Sequence, residues 1–486
     1  MVASKQITLL GLGPGSLGQL SLEAKELIDS IDTLYVRTAQ HPVVEFLKES
    51  TKIISFDHLY DQFDGFDEVY KQIVAEIFEF VESEDSVCYA VPGHPFVAEA
   101  TAPEIARQAR EKGIDIRVVS GMSFIEPALT AIGEDLYPQT SMVDALEIAE
   151  SYHPKFPPSY PALVTQIYSS EIANEVKLTL MAQYDDQHPV RMIHAAGSEN
   201  EMVEDLPLHA IDKSPHIGLL TCIYVPPIEK NTSLEEFQEL IAHLRSPEGC
   251  PWDREQDHQS LRRNLLEECY ELLDAIDQND TEAMLEEFGD MLVQIVLHAQ
   301  IANEFGEFRM SDIINGIHTK LVNRHPHVFG DLEISDAQGV VDNWEQLKAE
   351  ERNKKGRAEK GTLDSIADTL PALAQAEAFG ARAARHGFEW KHIDGVIEKI
   401  NEEVDELKSS ADAQNRHDEF GDLLFALVNF ARWEQIDPEV ALRETNERFK
   451  HRFGYIEKHA KNRGKKMSEM SLDEMELLWE EAKSST

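Results

Sequence analysis

The sequence predicts a multidomain chain, an α/β half followed by an all-α half. Three observations predict it. Glycine-rich turns follow short apolar strands throughout the first 226 residues. Pro226 and Pro227 then interrupt the pattern, and the remainder reads as helix. Within that helical half an acidic pattern occurs twice, first as Glu267, Glu268 and Glu271 with Glu287 and Asp290, then as Glu402, Glu403 and Glu406 with Glu419 and Asp422. The expected domains are 1–226, 227–355 and 356–486.

The chain has 486 residues, 42% of them hydrophobic, which suits several separately cored domains. Its formal net charge of −45 repels polyanions, so DNA and RNA are poor partners. A small phosphorylated substrate is compatible with that charge, because Mg²⁺ bridges carboxylates to phosphates. Cys88, Cys222, Cys250 and Cys269 form no CxxC pair, which fits a reducing compartment. No basic-then-apolar leader precedes Ile7, and no apolar run is long enough to span a bilayer. These features predict a cytoplasmic chain without a membrane partner.

In the first half, a strand around Ile7–Leu10 runs into Gly11-Leu12-Gly13-Pro14-Gly15, then into a helix capped near Ser21. Val87–Val91 runs into Pro92-Gly93-His94-Pro95, and Ile116–Val119 into Ser120-Gly121-Met122-Ser123. One such turn is as well explained by a tight connection as by a ligand. Three at strand ends favour a cleft at the carboxyl edge of a sheet. The spacing is not GxGxxG, and Pro14 removes a donor, so a dinucleotide pyrophosphate is disfavoured. Later strands are predicted at Ala162–Gln166, Val190–His194 and Ile217–Thr221.

These glycine turns resemble the tetrapyrrole (corrin/porphyrin) methylase family over about residues 5–226. The resemblance implies two α/β lobes with S-adenosylmethionine between them. It would place Gly11, Gly13, Pro14, Gly15, Pro92, Gly93, His94, Gly121 and Ser123 at that cofactor. The family's second loop usually reads Gly-Asp-Pro, where this chain has Gly93-His94-Pro95. His94 is then either catalytic or a loop histidine with local hydrogen bonds. No basic cluster awaits a polycarboxylate acceptor such as uroporphyrinogen.

In the helical half, Glu-Glu-Phe-Gly-Asp-Met-Leu from Glu286 aligns with Asp-Glu-Phe-Gly-Asp-Leu-Leu from Asp418, an internal repeat of about 130 residues. The helix from about Thr281 to Ile301 is apolar nearly all round, which predicts burial. Yet Glu287 and Asp290 share one side of it. Buried carboxylates are costly unless they are paired or hold a metal. Packed antiparallel against the preceding amphipathic helix, they could face Glu268 and Glu271. Such a cluster suits Mg²⁺ or Mn²⁺; the bland alternative is a solvated acidic face.

Each copy adds a basic i,i+4 pair, Lys320 with Arg324 and Arg448 with Arg452, suited to phosphates or simply to surface ion pairs. Trp344 and Trp479 recur in similar surroundings near each copy's end, available for stacking on a base or filling a helix interface.

Together with Gly249-Cys250-Pro251-Trp252-Asp253-Arg254 and Arg324-His325-Pro326-His327-Val328-Phe329, these motifs resemble the MazG nucleoside triphosphate pyrophosphohydrolases over about residues 233–486. The order of the whole chain resembles a bacterial fusion of a methylase-like half with tandem MazG repeats. The resemblance implies an all-α, Mg²⁺-dependent, dimeric enzyme converting nucleoside triphosphates to the monophosphate and diphosphate. It implies Glu268, Glu271, Glu287 and Asp290, and Glu403, Glu406, Glu419 and Asp422, as metal ligands. Lys320, Arg324, Arg448 and Arg452 would hold phosphates, and Trp252, Trp344 and Trp479 would lie at the nucleotide. The catalytic residues would be Glu267, Glu268, Glu402 and Glu403, the attacking water being activated by the metal or by the spare acid Glu267 or Glu402. The rival readings are a methyltransferase regulated by a non-catalytic helical module, and a helical dimerisation platform with an incidental metal site.

Overall fold

The computed structural model describes residues 5–48, 51–63, 65–229, 231–334, 336, 339–340, 343–344, 347, 361–364, 366–410 and 412–484. The chain divides into two compact units, Met1–Ile314 and Asn315–Thr486. The expected junction near 227 falls inside the first unit, in a stretch without regular structure; that at 355/356 lies outside the described residues.

The first unit opens with a five-stranded parallel sheet of order β3-β2-β4-β1-β5. Its strands are β1 (Gln6–Gly11), β2 (Thr33–Val36), β3 (Lys52–Ser55), β4 (Ser86–Val91) and β5 (Asp115–Val119). β1 and β4 are apolar on both faces because helices cover both. Ile7 and Leu9 join one core with Val87 and Tyr89, while Leu10 joins the other with Cys88 and Ala90. The chain leaves β1 towards β2 and leaves β4 towards β5, in opposite directions. β1 and β4 are neighbours, so a crevice opens where their carboxyl ends meet.

A second five-stranded sheet follows, of order β6-β7-β10-β8-β9. It holds β6 (Ser141–Asp144), β7 (Ala162–Thr165), β8 (Pro189–His194), β9 (Met202–Pro207) and β10 (Thr221–Val225). Only β6 and β7 are parallel; β10 runs antiparallel to β7 and β8, and β9 to β8. The predicted strand at Ile217–Thr221 is displaced. Thr221 Oγ1 accepts the Gly218 N–H at 2.9 Å and closes a turn, leaving Leu219 79% exposed, and the strand begins only at Thr221. The run is apolar enough for a strand, but turn chemistry prevails in it.

After β10 the Ile228 N–H donates to Pro158 O at 2.8 Å and His188 Nε2 bonds Pro226 O at 2.9 Å, which ties the linker to the second lobe. Helices α1 (Leu234–Leu244), α2 (Arg262–Asp277) and α3 (Thr281–Glu304) follow, and α2 and α3 form a hairpin. Asp280 caps α3 by accepting from the Glu282 and Ala283 N–H groups. The all-round burial predicted for α3 is not met: its buried residues lie in the C-terminal half, where Val296, Leu297 and Ile301 pack on Ile241 and Leu261 while Ile295 stays exposed. Leu285 and Phe288 are exposed, because one hairpin partner covers one side of a helix.

α4 (Met310–Arg324) crosses into the second unit. That unit holds α5 (Ala372–Arg385), α6 (Ile393–Ser409), α7 (Ala413–Trp433), α8 (Pro438–Asn462) and α9 (Leu472–Ser484). α6 and α7 form a second hairpin, and α8 and α9 pack through Ile456, Ala460, Met470 and Leu478.

Candidate functional site

In the first hairpin, Glu268 on α2 meets Glu287 and Asp290 on α3, with one carboxylate oxygen of each within 4.8 Å of the others. The i,i+3 spacing of Glu287 and Asp290 puts both on the face towards α2. Glu271 completes the electrostatics without joining the trio, since its charge acts on both Glu268 and Glu287. Burial, and then the neighbouring carboxylates led by Asp290, push Glu268 above the usual range; burial and then Glu271 do the same to Glu287. Glu287 Oε2 is buried without a hydrogen-bond partner.

The second hairpin brings together a different subset: Glu403 and Glu406 on α6 with Glu419 on α7, again within 4.8 Å. Asp422 is exposed and acts on Glu419 by charge. Burial first, then Glu406 and Glu403, raise Glu419. Glu403 is 4% exposed and its Oε2 is buried without a partner. Both clusters therefore carry an unsatisfied, solvent-shielded carboxylate oxygen beside other acids, an arrangement that a hard dication relieves. That donor set fits Mg²⁺ or Mn²⁺.

Glu267 and Glu402 are exposed and stand outside both trios. Glu402 accepts from Lys399 Nζ at 2.9 Å. Lys320 and Arg324 lie on α4, Lys320 exposed and Arg324 half-buried. Arg448 on α8 donates to Thr445 Oγ1 at 2.6 Å. Arg452 lies 5.6 Å from the Trp479 ring centroid, and Phe449 packs on that indole at 5.1 Å. Trp344 meets His325 edge-on at 5.2 Å. Trp252 is 54% exposed on the turn of helix at Pro251–Glu255.

In the first unit, the three predicted glycine loops converge at the β1/β4 crevice. Gly13 and Gly93 exchange backbone hydrogen bonds of 3.2 and 2.8 Å, at φ of +74° and +68°. A Cβ on Gly11 would lie 2.4 Å from Gly121 N, so these loops touch through backbone alone. Gly15 has open space at its Cα, which leaves room for a ligand there. Pro14 and Pro92 sit inside these loops, beside Gly13 and Gly93. Ser123 is buried and donates to Glu126. His94 Nδ1 accepts the Phe96 N–H at 3.0 Å, the local bond foreseen for a loop histidine.

Sequence reasoning missed three residues that hold these sites. His41, 7% exposed, bonds Gly13 O through Nε2 at 2.9 Å and leaves Nδ1 buried and unpartnered. No local pattern marks such a long-range contact. Arg245, at the end of α1, grips the Pro251–Gln256 segment. Lys399 reaches Glu403 Oε1 at 2.7 Å, which its i,i+4 spacing could have signalled.

Residues 6–212 match the Tetrapyrrole (Corrin/Porphyrin) Methylases, and residues 256–329 match the MazG nucleotide pyrophosphohydrolase domain. The chain is similar to the uncharacterized protein YabN of Bacillus subtilis (strain 168), 42% identical over 98% of both chains. It is also similar to the nucleoside triphosphate pyrophosphohydrolase/pyrophosphatase MazG of Thermotoga maritima, 43% identical over 52% of this chain and 97% of that one. The nucleoside triphosphate pyrophosphohydrolase of Escherichia coli (strain K12) is 41% identical over 51% of this chain and 97% of its own.

Proposed function

The chain belongs to the family that joins a tetrapyrrole methylase domain to a MazG nucleotide pyrophosphohydrolase domain, and on that premise we propose that it hydrolyses nucleoside triphosphates to the monophosphate and diphosphate. The observation that carries this reading is the pair of carboxylate clusters, each with a buried, unsatisfied oxygen, on Glu287 and on Glu403. Glu268, Glu287 and Asp290 in one hairpin, and Glu403, Glu406 and Glu419 in the other, would hold Mg²⁺ or Mn²⁺. When bound, the ion would neutralise charge developing on the phosphoryl oxygens. Glu271 and Asp422 reinforce the field that draws it in.

Arg448 and Arg452 stand one helical turn apart, a fork that matches phosphate oxygens. Arg452 and Trp479 together offer a charge beside an indole, suited to a nucleotide's phosphates and base. Lys320, Arg324 and Trp344, with Trp252, would serve the first copy in the same way. Glu267 and Glu402, exposed next in sequence to Glu268 and Glu403, would orient and deprotonate the attacking water. Exposed Leu285, Phe288, Phe420 and Phe449 leave apolar area on these helices for a second copy of the chain to cover.

The methylase domain would bind S-adenosylmethionine against the Gly11–Gly15, Pro92–Pro95 and Gly121–Ser123 loops, with Gly15 on the open side. His94, fixed in its loop by the bond at Nδ1, would face the cofactor from the second of these loops.

The deciding measurement is diphosphate release from a panel of nucleoside triphosphates with and without Mg²⁺. Mg²⁺-dependent release, lost in the double variant Glu287→Ala and Glu419→Ala, supports the reading. Unchanged release in that variant refutes the site.

A further inference from the structure

The two carboxylate clusters differ in whether a cation is paired with them. In the second, Lys399 Nζ lies 2.7 Å from Glu403 Oε1 and 2.9 Å from Glu402 Oε1. Lys399 stands one helical turn before Glu403 on α6. Asn264 holds the matching place one turn before Glu268 on α2, and it carries no charge. Among the described residues, no lysine or arginine forms an ion pair with Glu268, Glu271, Glu287 or Asp290.

Glu403 is thus divided. One oxygen holds an ammonium; the other, Oε2, is buried and unpartnered, on a carboxylate that clusters with Glu406 and Glu419. A dication drawn to that free oxygen would sit one carboxylate away from the Lys399 charge, at a distance where like charges repel strongly in partly desolvated surroundings. Either Lys399 withdraws, giving up its bonds to both glutamates, or the ion binds against the repulsion. Both routes weaken the site. Lys399 is 38% exposed, so its stem has solvent to withdraw into.

We propose that the two clusters are unequal divalent-cation sites: Lys399 is a built-in competing cation in the second, while the first has no such competitor among the described residues. The inference rests on the metal-site reading above and adds to it an order of filling. At low free Mg²⁺ the first cluster fills, and the second follows only when the ion outcompetes Lys399. The chain therefore has a graded rather than a single response to divalent cation.

Mn²⁺ binding to the full-length chain without nucleotide, read from the loss of the free-ion paramagnetic resonance signal, tests this directly. Glu287→Ala leaves the second cluster alone to report, and Glu419→Ala leaves the first. The second should bind about tenfold more weakly than the first, the scale of one charge-assisted contact. Lys399→Met in the Glu287→Ala background should tighten binding by about tenfold, and Lys399→Gln should act alike. The reciprocal Asn264→Lys in the Glu419→Ala background should weaken the first cluster, and it keeps the test alive if Lys399 variants fold poorly. Equal affinities, or no tightening in a folded Lys399→Met chain, overturn the inequality alone. Absence of Mn²⁺ binding from the unaltered chain overturns the metal-site reading, and the inequality with it.

Discussion

Arg245 and Glu304 form a two-pronged ion pair, Nε to Oε1 at 2.9 Å and Nη2 to Oε2 at 2.7 Å. The Arg245 side chain is 5% exposed. Its remaining nitrogen donates to the carbonyls of Asp253 and Gln256. One side chain thus fastens the Pro251–Gln256 segment, which carries Trp252, to the end of α3.

Arg245→Ala should cost about 2 kcal/mol in urea unfolding, a figure already reduced for the solvent that reaches Glu304. The bond to Arg245 chiefly holds Glu304 below the usual carboxylate range. Its folded pKa is depressed, so its contribution is present above the unfolded value of about 4.3 and is lost as the pH falls below that. The variant should lose less stability than the parent between neutral pH and the acid side of that window. Equal acid sensitivity would show that the pair does not couple to folding.

Glu287 and Glu268 carry the opposite sign. Their folded pKa values are raised, so ionisation destabilises the metal-free fold as the pH climbs from the unfolded value through the folded one. Glu287→Gln should raise the Tm of the metal-free chain at pH 7. It should also reduce the Tm increase that Mg²⁺ gives. Diphosphate release should fall by more than about 100-fold, beyond the usual loss on removing an outer partner of a metal site. A differential scanning fluorimetry series with and without Mg²⁺ reads the first two effects.

Gly121 is fixed by contact rather than by dihedral angle. A Cβ there would lie 2.3 Å from Gly93 O and 2.7 Å from Gly11 C. Backbone cannot yield as a side chain does, so Gly121→Ala should destabilise the first unit by about 3 kcal/mol. Gly15→Ala meets no atom within 4 Å and should leave stability close to the parent's. If Gly15→Ala nevertheless abolishes S-adenosylmethionine binding by calorimetry, that glycine faces the ligand.

The four cysteines should divide two and two. Burial pushes the Cys88 and Cys222 thiols up to about 12. Cys250 and Cys269 are half-buried. A disulfide reagent at pH 8 should titrate two thiols quickly in the native chain and all four in denaturant. Rapid reaction of Cys88 or Cys222 under native conditions would place an opening motion in the sheets that carry them.

Much of this was legible in the sequence because its signals are local. Strands β1, β4 and β5 announce themselves as apolar runs stopped by glycine, and the i,i+3 carboxylates of α3 declare their shared face. The two prolines after β10 mark the change to helix. Ile217–Leu220 misled because its composition suits a strand while the Gly218–Thr221 turn is decided by one hydroxyl. The burial expected for all of α3 also failed, since periodicity reports apolar faces and not what covers them.

The sequence by itself determined which residues carry charge, which faces of α2, α3, α6 and α7 pair, and that the acidic pattern recurs. Helical and strand periods are properties of consecutive residues, so a single chain of letters contains them. Only the tertiary structure decided which carboxylates of each set converge: Glu268 without Glu271 in one hairpin, Glu406 without Asp422 in the other. It alone joined His41 to Gly13 and Gly93 to Gly11 and Gly121. Those contacts close long loops, and their distances depend on how whole elements pack rather than on any spacing along the chain.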